Sequence, residues 1–149
     1  MIFSNSKAQI SIEVLVIIIF LTLFIYSYTT NAEKIVESVE ITRVKSQQQD
    51  ILLSVRDFIS IQELIINDQN ITAHNAKFKI PTIDLASKRV MCAINFNSDS
   101  ISVSSADFGG VQTRINIKQN SKISFPAKKT CGQELVCNFD INTKTLNCN

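Results

Sequence analysis

The chain has 149 residues, of which 45% are hydrophobic and 19% charged, with a net charge of +2 at pH 7. That length accommodates one compact domain and an extended segment. Its basic residues are scattered, with neither an Arg/Lys stripe nor an interleaved aromatic platform, which sets nucleic-acid binding aside.

The hydrophobic residues are unevenly distributed. Residues 14–21 form an unbroken apolar run, residues 23–26 extend it after Thr22, and the 19 residues between Glu13 and Glu33 carry no charge. About 20 such residues are needed to cross a hydrocarbon core as a helix, so residues 10–30 are predicted to span a membrane or to form the core of an assembly. Glu13 stands at the edge of this segment. A carboxylate placed centrally in a membrane helix costs roughly 2.5–3.5 kcal/mol, and less near an interface, so it calls for a functional reason or for access to the headgroups.

The stretch Lys7-Ala8-Gln9-Ile10-Ser11-Ile12-Glu13 resembles the class III signal peptide of euryarchaeal type IV pilins. In that family a basic and a small residue precede a mature chain that begins Gln-x-Ser-x-Glu and runs on to Leu. Gln9, Ser11 and Glu13 match, and Ile17 stands where the family has Leu. The resemblance implies that a prepilin peptidase cuts between Ala8 and Gln9, leaving residues 1–8 as a leader and keeping the apolar helix. It also gives Glu13 a partner: the new ammonium on Gln9 of a neighbouring subunit, paired inside a helix bundle, would compensate the charge and set axial register. Lys7 ahead of the cut fits a cytoplasmic leader and an outward C-terminus.

No Gly or Pro occurs before Pro81, so one helix is predicted over residues 9–66, about 87 Å at 1.5 Å per residue. Its second half becomes amphipathic, with Ile41, Val44, Ile51, Val55, Phe58 and Ile65 on a heptad-like stripe that Gln48 and Gln62 interrupt. The polar run at residues 46–50 is the expected site of a bend, and the stripe is expected to be intrachain core.

Beyond residue 66 the pattern changes to short β-type runs at 77–83, 89–97, 100–105, 111–118, 122–125, 134–141 and 144–148. Turns are expected at residues 97–99, at Gly109-Gly110 and at Gln119-Asn120. The fold class is α+β: a long N-terminal helix whose second half packs on an antiparallel β head of residues 67–149. All four cysteines, Cys92, Cys131, Cys137 and Cys148, lie C-terminal to the apolar segment, as expected for disulfides in an oxidising compartment. A two-residue turn at Asn142-Thr143 would set Cys137 opposite Cys148 on one strand face, leaving Cys92 with Cys131; a longer turn, the two other pairings and a four-thiolate zinc site are the alternatives. The sequon Asn70-Ile71-Thr72 is a candidate glycan acceptor on the same side.

His74 falls in a polar, turn-like stretch, no Gly-rich phosphate loop occurs, and Asp84, Asp99, Asp107, Glu134 and Asp140 lack metal-loop spacing. An enzyme therefore has no positive support, and no cofactor is implied. The leading expectation is a filament subunit, exposed for adhesion or motility. Its partners would be its own copies or other pilins, the peptidase, a membrane platform protein, an assembly ATPase and, before assembly, lipid. The alternatives are a minor pilin or membrane-anchored binding module with the same leader, and a secreted domain cut after Ala32.

Overall fold

A computed structural model describes residues 6–67, 74–86, 88–118 and 120–149, with side chains from residue 12 onward. One helix, α1, occupies Ser6–Asn67 without interruption. It begins upstream of the expected start at Gln9 and continues through residues 46–50, where a bend was predicted. A chain free of Gly and Pro loses no helical hydrogen bond there, and the polar side chains of that run have another use.

Two units divide the chain, Met1–Val39 and Glu40–Asn149. In the first, every side chain of residues 12–29 is exposed. Among the described residues the second contains the rest of α1 and ten strands: β1 (Asn75–Lys79), β2 (Ile83–Asp84), β3 (Arg89–Val90), β4 (Cys92–Asn97), β5 (Ser100–Ser105), β6 (Gln112–Asn116), β7 (Ile123–Ser124), β8 (Lys128–Thr130), β9 (Glu134–Asp140) and β10 (Thr145–Cys148). They form a sheet of order β1-β9-β10-β7, a second of order β6-β5-β4-β8, and a small β2-β3 pair. Every pairing is antiparallel except β10 with β7, which run parallel.

Each sheet turns one face to a common core. In the first, Ala76 lies opposite Cys137, Phe78 opposite Leu135 and Leu146 opposite Phe139, all on the inner side. In the second, Ile94 opposes Val103 and Phe96 opposes Ile101. Phe96 and Phe125 stack with ring centroids 5.2 Å apart, and Phe58 of α1 stacks on Phe78 of β1 at 5.0 Å. Such pairs hold preferred offset geometries and add to the area they bury.

The helix contributes Val44, Gln48, Ile51, Leu52, Val55, Ile59, Gln62 and Ile66 to the buried interior. The predicted stripe is buried at Val44, Ile51 and Val55 and half-buried at Ile41, Phe58 and Ile65, with Phe58 packed against the core, while Ile59 and Ile66 are the buried positions of the last turns. A regular helix has 3.6 residues per turn, so a strict seven-residue repeat falls behind its face by about 20° per heptad. Over the two heptads from Val44 to Phe58 the lag is about 40°, which sets Phe58 at the flank of the buried face.

Gln48 and Gln62 do not interrupt the stripe; they sit on it, 0% and 2% exposed. The Gln48 amide donates to the Val111 carbonyl (2.9 Å), and its oxygen accepts from the Thr113 hydroxyl (2.7 Å). Gln47 brackets Asp84 in the same manner, accepting from its N–H (2.9 Å) and donating to its carbonyl (3.0 Å). One turn from the helix end, Glu63 accepts from the Asn120 N–H at 3.2 Å. Gln48→Leu keeps the bulk and leaves the Val111 carbonyl and Thr113 hydroxyl without their helix partner. It is expected to destabilise the head by about 1–3 kcal/mol. Gln47→Ala, at a more exposed position, should cost less than Gln48→Leu. Urea unfolding of the detergent-solubilised full chain, read by pulse proteolysis, checks both; equal effects at the two positions would show that burial does not govern them.

Candidate functional site

The apolar half of α1 is the first candidate. Its exposed side chains include Ile17, Ile18, Phe20, Leu21, Leu23, Phe24 and Ile25, and mean hydropathy over an 18-residue window reaches 2.2. Three threonines within it turn their hydroxyls back onto the helix. Thr22 donates to the Ile18 and Ile19 carbonyls, Thr29 to that of Tyr26, and Thr30 to those of Tyr26 and Ser27, at 2.8–3.1 Å. In lipid an unpaired hydroxyl has no water to turn to, so this internal bonding suits a membrane environment. The segment has the length and composition to span a membrane. Glu13 is exposed on this helix. Lys7, Ala8, Gln9 and Ser11 belong to α1 by backbone, while their side chains lie outside the described residues, as does Asn70 of the sequon.

The head is the second candidate, and its four cysteines form two disulfides, Cys92–Cys131 and Cys137–Cys148. With every thiol engaged, the head has no thiolates for a zinc site. Disulfides of this kind fit an extracytoplasmic compartment. The register in the last hairpin is as read from the sequence, with Cys148 opposite Cys137 and Leu146 opposite Phe139. The turn differs: β9 ends at Asp140 and β10 starts at Thr145, so the connection has four residues and not two, with Lys144 at φ 52°. That length shifts the hydrogen-bonding parity. Val136 and Asn149 exchange both backbone bonds, at 3.0 and 2.9 Å, which leaves the Cys pair at the adjacent non-bonded site with Cα atoms 4.0 Å apart. Non-bonded pairs are the closer ones in an antiparallel ladder, which is where a short bridge fits.

The other bridge reveals a strand that sequence reasoning missed. Lys128-Lys129-Thr130 carries no apolar residue, yet it pairs with β4, setting Ala93 opposite Thr130. One step further along that ladder, Cys131 donates its N–H to the Cys92 carbonyl at 3.0 Å. The proposed Cys92–Cys131 pairing was the signal that could have placed a strand beside β4. Gly132 follows with φ +88°, and a Cβ there would lie 3.2 Å from the Thr82 methyl. The conformation and the space both favour glycine.

His74 is not the solvated turn residue that was expected. It is half-buried, its Nε2 lies 2.7 Å from Gln62 Oε1, and its carbonyl accepts from the Phe139 N–H. The strand β9 draws the residue in through its backbone, and the side chain then meets the buried Gln62.

Two exposed carboxyls are held below their ordinary value. The Asp84 carboxyl is lowered first by the Thr82 hydroxyl (2.8 Å) and then by Arg89, whose Nε lies 3.1 Å away. That of Asp140 is lowered first by the Asn142 N–H (2.9 Å) and then by the Thr143 hydroxyl, contacts that shape the four-residue turn.

Against this geometry, searches among protein-family models, curated proteins and solved structures find no match.

Two measurements bear on the head. By loop entropy, the bridge spanning 39 residues should contribute about 4 kcal/mol and the one spanning 11 about 3 kcal/mol. Replacing Cys92 and Cys131 by Ser should therefore lower the urea midpoint more than replacing Cys137 and Cys148. A reversed order would show that the buried hairpin bridge acts through packing. Acid titration is the second. A carboxyl depressed in the folded state adds stability above its unfolded value, near 4, and loses it as pH falls through the lower folded value. The head should thus keep the small increment from Asp84 and Asp140 down to about pH 4 and lose it below. Asp84→Asn with Asp140→Asn should flatten that acid limb, measured as urea midpoint against pH.

Proposed function

We propose that this chain is the subunit of a type IV pilus-like surface filament, made as a membrane precursor and assembled through its apolar helix. The observation that carries the reading is one uninterrupted helix in which a charge-free segment of 19 residues, exposed through residue 29, continues into the buried seam of a disulfide-tied head. A soluble protein gains nothing from so large an exposed apolar surface, whereas lipid before assembly and neighbouring helices after it would both cover it. The motif Lys7-Ala8-Gln9 with Ser11 and Glu13 resembles the pilin processing site and directly precedes that segment. On this reading a prepilin peptidase cuts after Ala8, a platform protein and an ATPase extract the mature chain, and the head is displayed for adhesion or motility. A minor pilin or anchored binding module with the same leader is the second reading, favoured if the chain is found in the membrane and not in the bulk of a fibre.

Cleavage should leave Gln9 as the N-terminus. N-terminal sequencing of the native protein tests this, and finding Met1 or Glu33 there would overturn it. Ala8 replaced by a bulky residue should leave full-length precursor in the membrane.

Glu13 is assigned to assembly. Its carboxylate sits in a helix otherwise suited to lipid, and the Gln9 ammonium of an adjacent copy, present only after cleavage, would compensate it. Glu13→Gln should ease residence in the membrane while abolishing or misregistering the filament, with the head folded and its disulfides intact. Electron microscopy of the variant, expressed in place of the native chain, reads the outcome; normal fibres of unchanged helical rise would sink the pairing.

A further inference from the structure

The outward face of the β6-β5-β4-β8 sheet is as distinctive as the core face behind it. Register places Lys128, Asn95, Ser102 and Arg114 in one row across the four strands, and Thr130, Ala93, Ser104 and Gln112 in the next. Arg114 and Lys128, on the two edge strands, are the charged members of this face, and both are exposed. Between them the floor is made of small residues, with Ala93 and Ser104 half-buried and Ser102 only 3% exposed. Three inter-strand steps of roughly 4.8 Å separate the edge strands by about 14 Å, while a helix with its side chains measures about 10–12 Å across. The face is therefore a trough of helix width, cationic on both rims. At one end a concavity of about 400 Å³ is lined by Met91, Ala93, Ser104, Ala106, Lys128 and Thr130, with Met91 71% exposed. The nearby Asp107 carboxylate is occupied by the Met91 N–H at 3.0 Å.

The same chain carries a helix segment of complementary chemistry. In residues 32–40, Ile35, Val36 and Val39 are 63%, 60% and 45% exposed, and they form a short apolar seam. Glu33, Glu37 and Glu40 follow at i, i+4 and i+7 along one flank of it, while Lys34 and Ser38 fall on the far side. The charge division extends to the whole chain: residues 67–149 hold ten basic and six acidic side chains, net +4, and residues 1–66 hold five and seven, net −2, which together give +2.

We propose that the acidic segment of one copy lies in the cationic trough of a second copy, with the flank of Glu33, Glu37 and Glu40 toward the Lys128 rim and the Val36 and Val39 side of the seam toward Met91 and Ala93, while Arg114 on the other rim adds to the attraction at longer range. Opposite charges would steer and register the encounter, and the small floor lets the helix approach closely. The inference rests on the reading that copies of this chain associate, and it names the surface through which head and helix of different copies meet.

Full-length chain, half of it labelled with nitrogen-15, is reconstituted in zwitterionic lipid vesicles and also collected as fibres, then treated with a zero-length carbodiimide that joins carboxylates to lysines. Cross-links from Glu33, Glu37 or Glu40 to Lys128 between labelled and unlabelled copies are expected. Glu33→Lys with Glu37→Lys and Glu40→Lys, or Arg114→Glu with Lys128→Glu, should each cut association about tenfold, the scale for reversing two or three exposed pairs, and added salt should act likewise. Association is read for these variants as energy transfer between dye-labelled copies, and mixing the two variants should restore it. Carboxylates that react only within their own chain, only with lipid, or with other lysines of a second copy would overturn the proposal. Cross-links without fibres would uphold the docking and refute the filament, and fibres without these cross-links would do the reverse.

Discussion

The structure depends on a seam in which one helix face must be apolar enough to fill a core and polar enough to meet strand backbones. Residues 44–66 meet both demands. Val44, Ile51, Leu52, Val55 and Ile59 supply the bulk, while Gln48 reaches the Val111 carbonyl where β6 begins. A backbone carbonyl covered by an apolar helix would lose its water without gaining a partner. A glutamine is long enough to carry both a donor and an acceptor to that carbonyl, and it brings no charge into the interior. Gln47 performs the same service at Asp84, nearer the solvent. The glutamines therefore orient the strands on the helix, and the apolar residues between them provide most of the adhesion.

The disulfides act on a different scale. A domain of this size buries a limited core, and its sheets hold several strands of only two or three residues. Each bridge joins neighbouring strands at opposed positions: Cys137–Cys148 fastens the last hairpin, and Cys92–Cys131 fastens β8, whose side chains offer little to hold it. Covalent ties thus reinforce short strands whose pairing rests on few residues. The buried Ser105 and Ser100 hydroxyls have no partner among the described residues, and nothing in the structure explains them.

The helix links these features to the proposed activity because it belongs to two environments. Its Thr22, Thr29 and Thr30 hydroxyls are satisfied within the helix itself, as lipid demands, whereas Gln47 and Gln48 are satisfied by the head. Between those regions, residues 32–40 pair exposed apolar side chains with carboxylates, a combination suited neither to a hydrocarbon interior nor to a monomer in water. The filament reading gives that intermediate chemistry a use, since the chain's own head presents a cationic face of matching width.

Much of this was legible in the chain itself, for reasons that are local. A charge-free run of membrane length, the absence of Gly and Pro before Pro81, and the alternation in residues 100–105 are properties of neighbouring residues, and they determined the helix, its exposed first half and β5. The offset between Cys137 and Cys148 likewise determined the hairpin register. What sequence could not supply depended on distant partners. β8 is a strand because β4 lies beside it, and β10 gains a parallel neighbour because β7 returns to that edge. Gln48 is buried because Val111 and Thr113 arrive 63 and 65 residues later to receive it, and His74 is drawn in by β9. The face of the helix was set by its true period of 3.6 and by the surface it meets. Local pattern determines which elements form; only the folded chain decides which polar groups find one another across them.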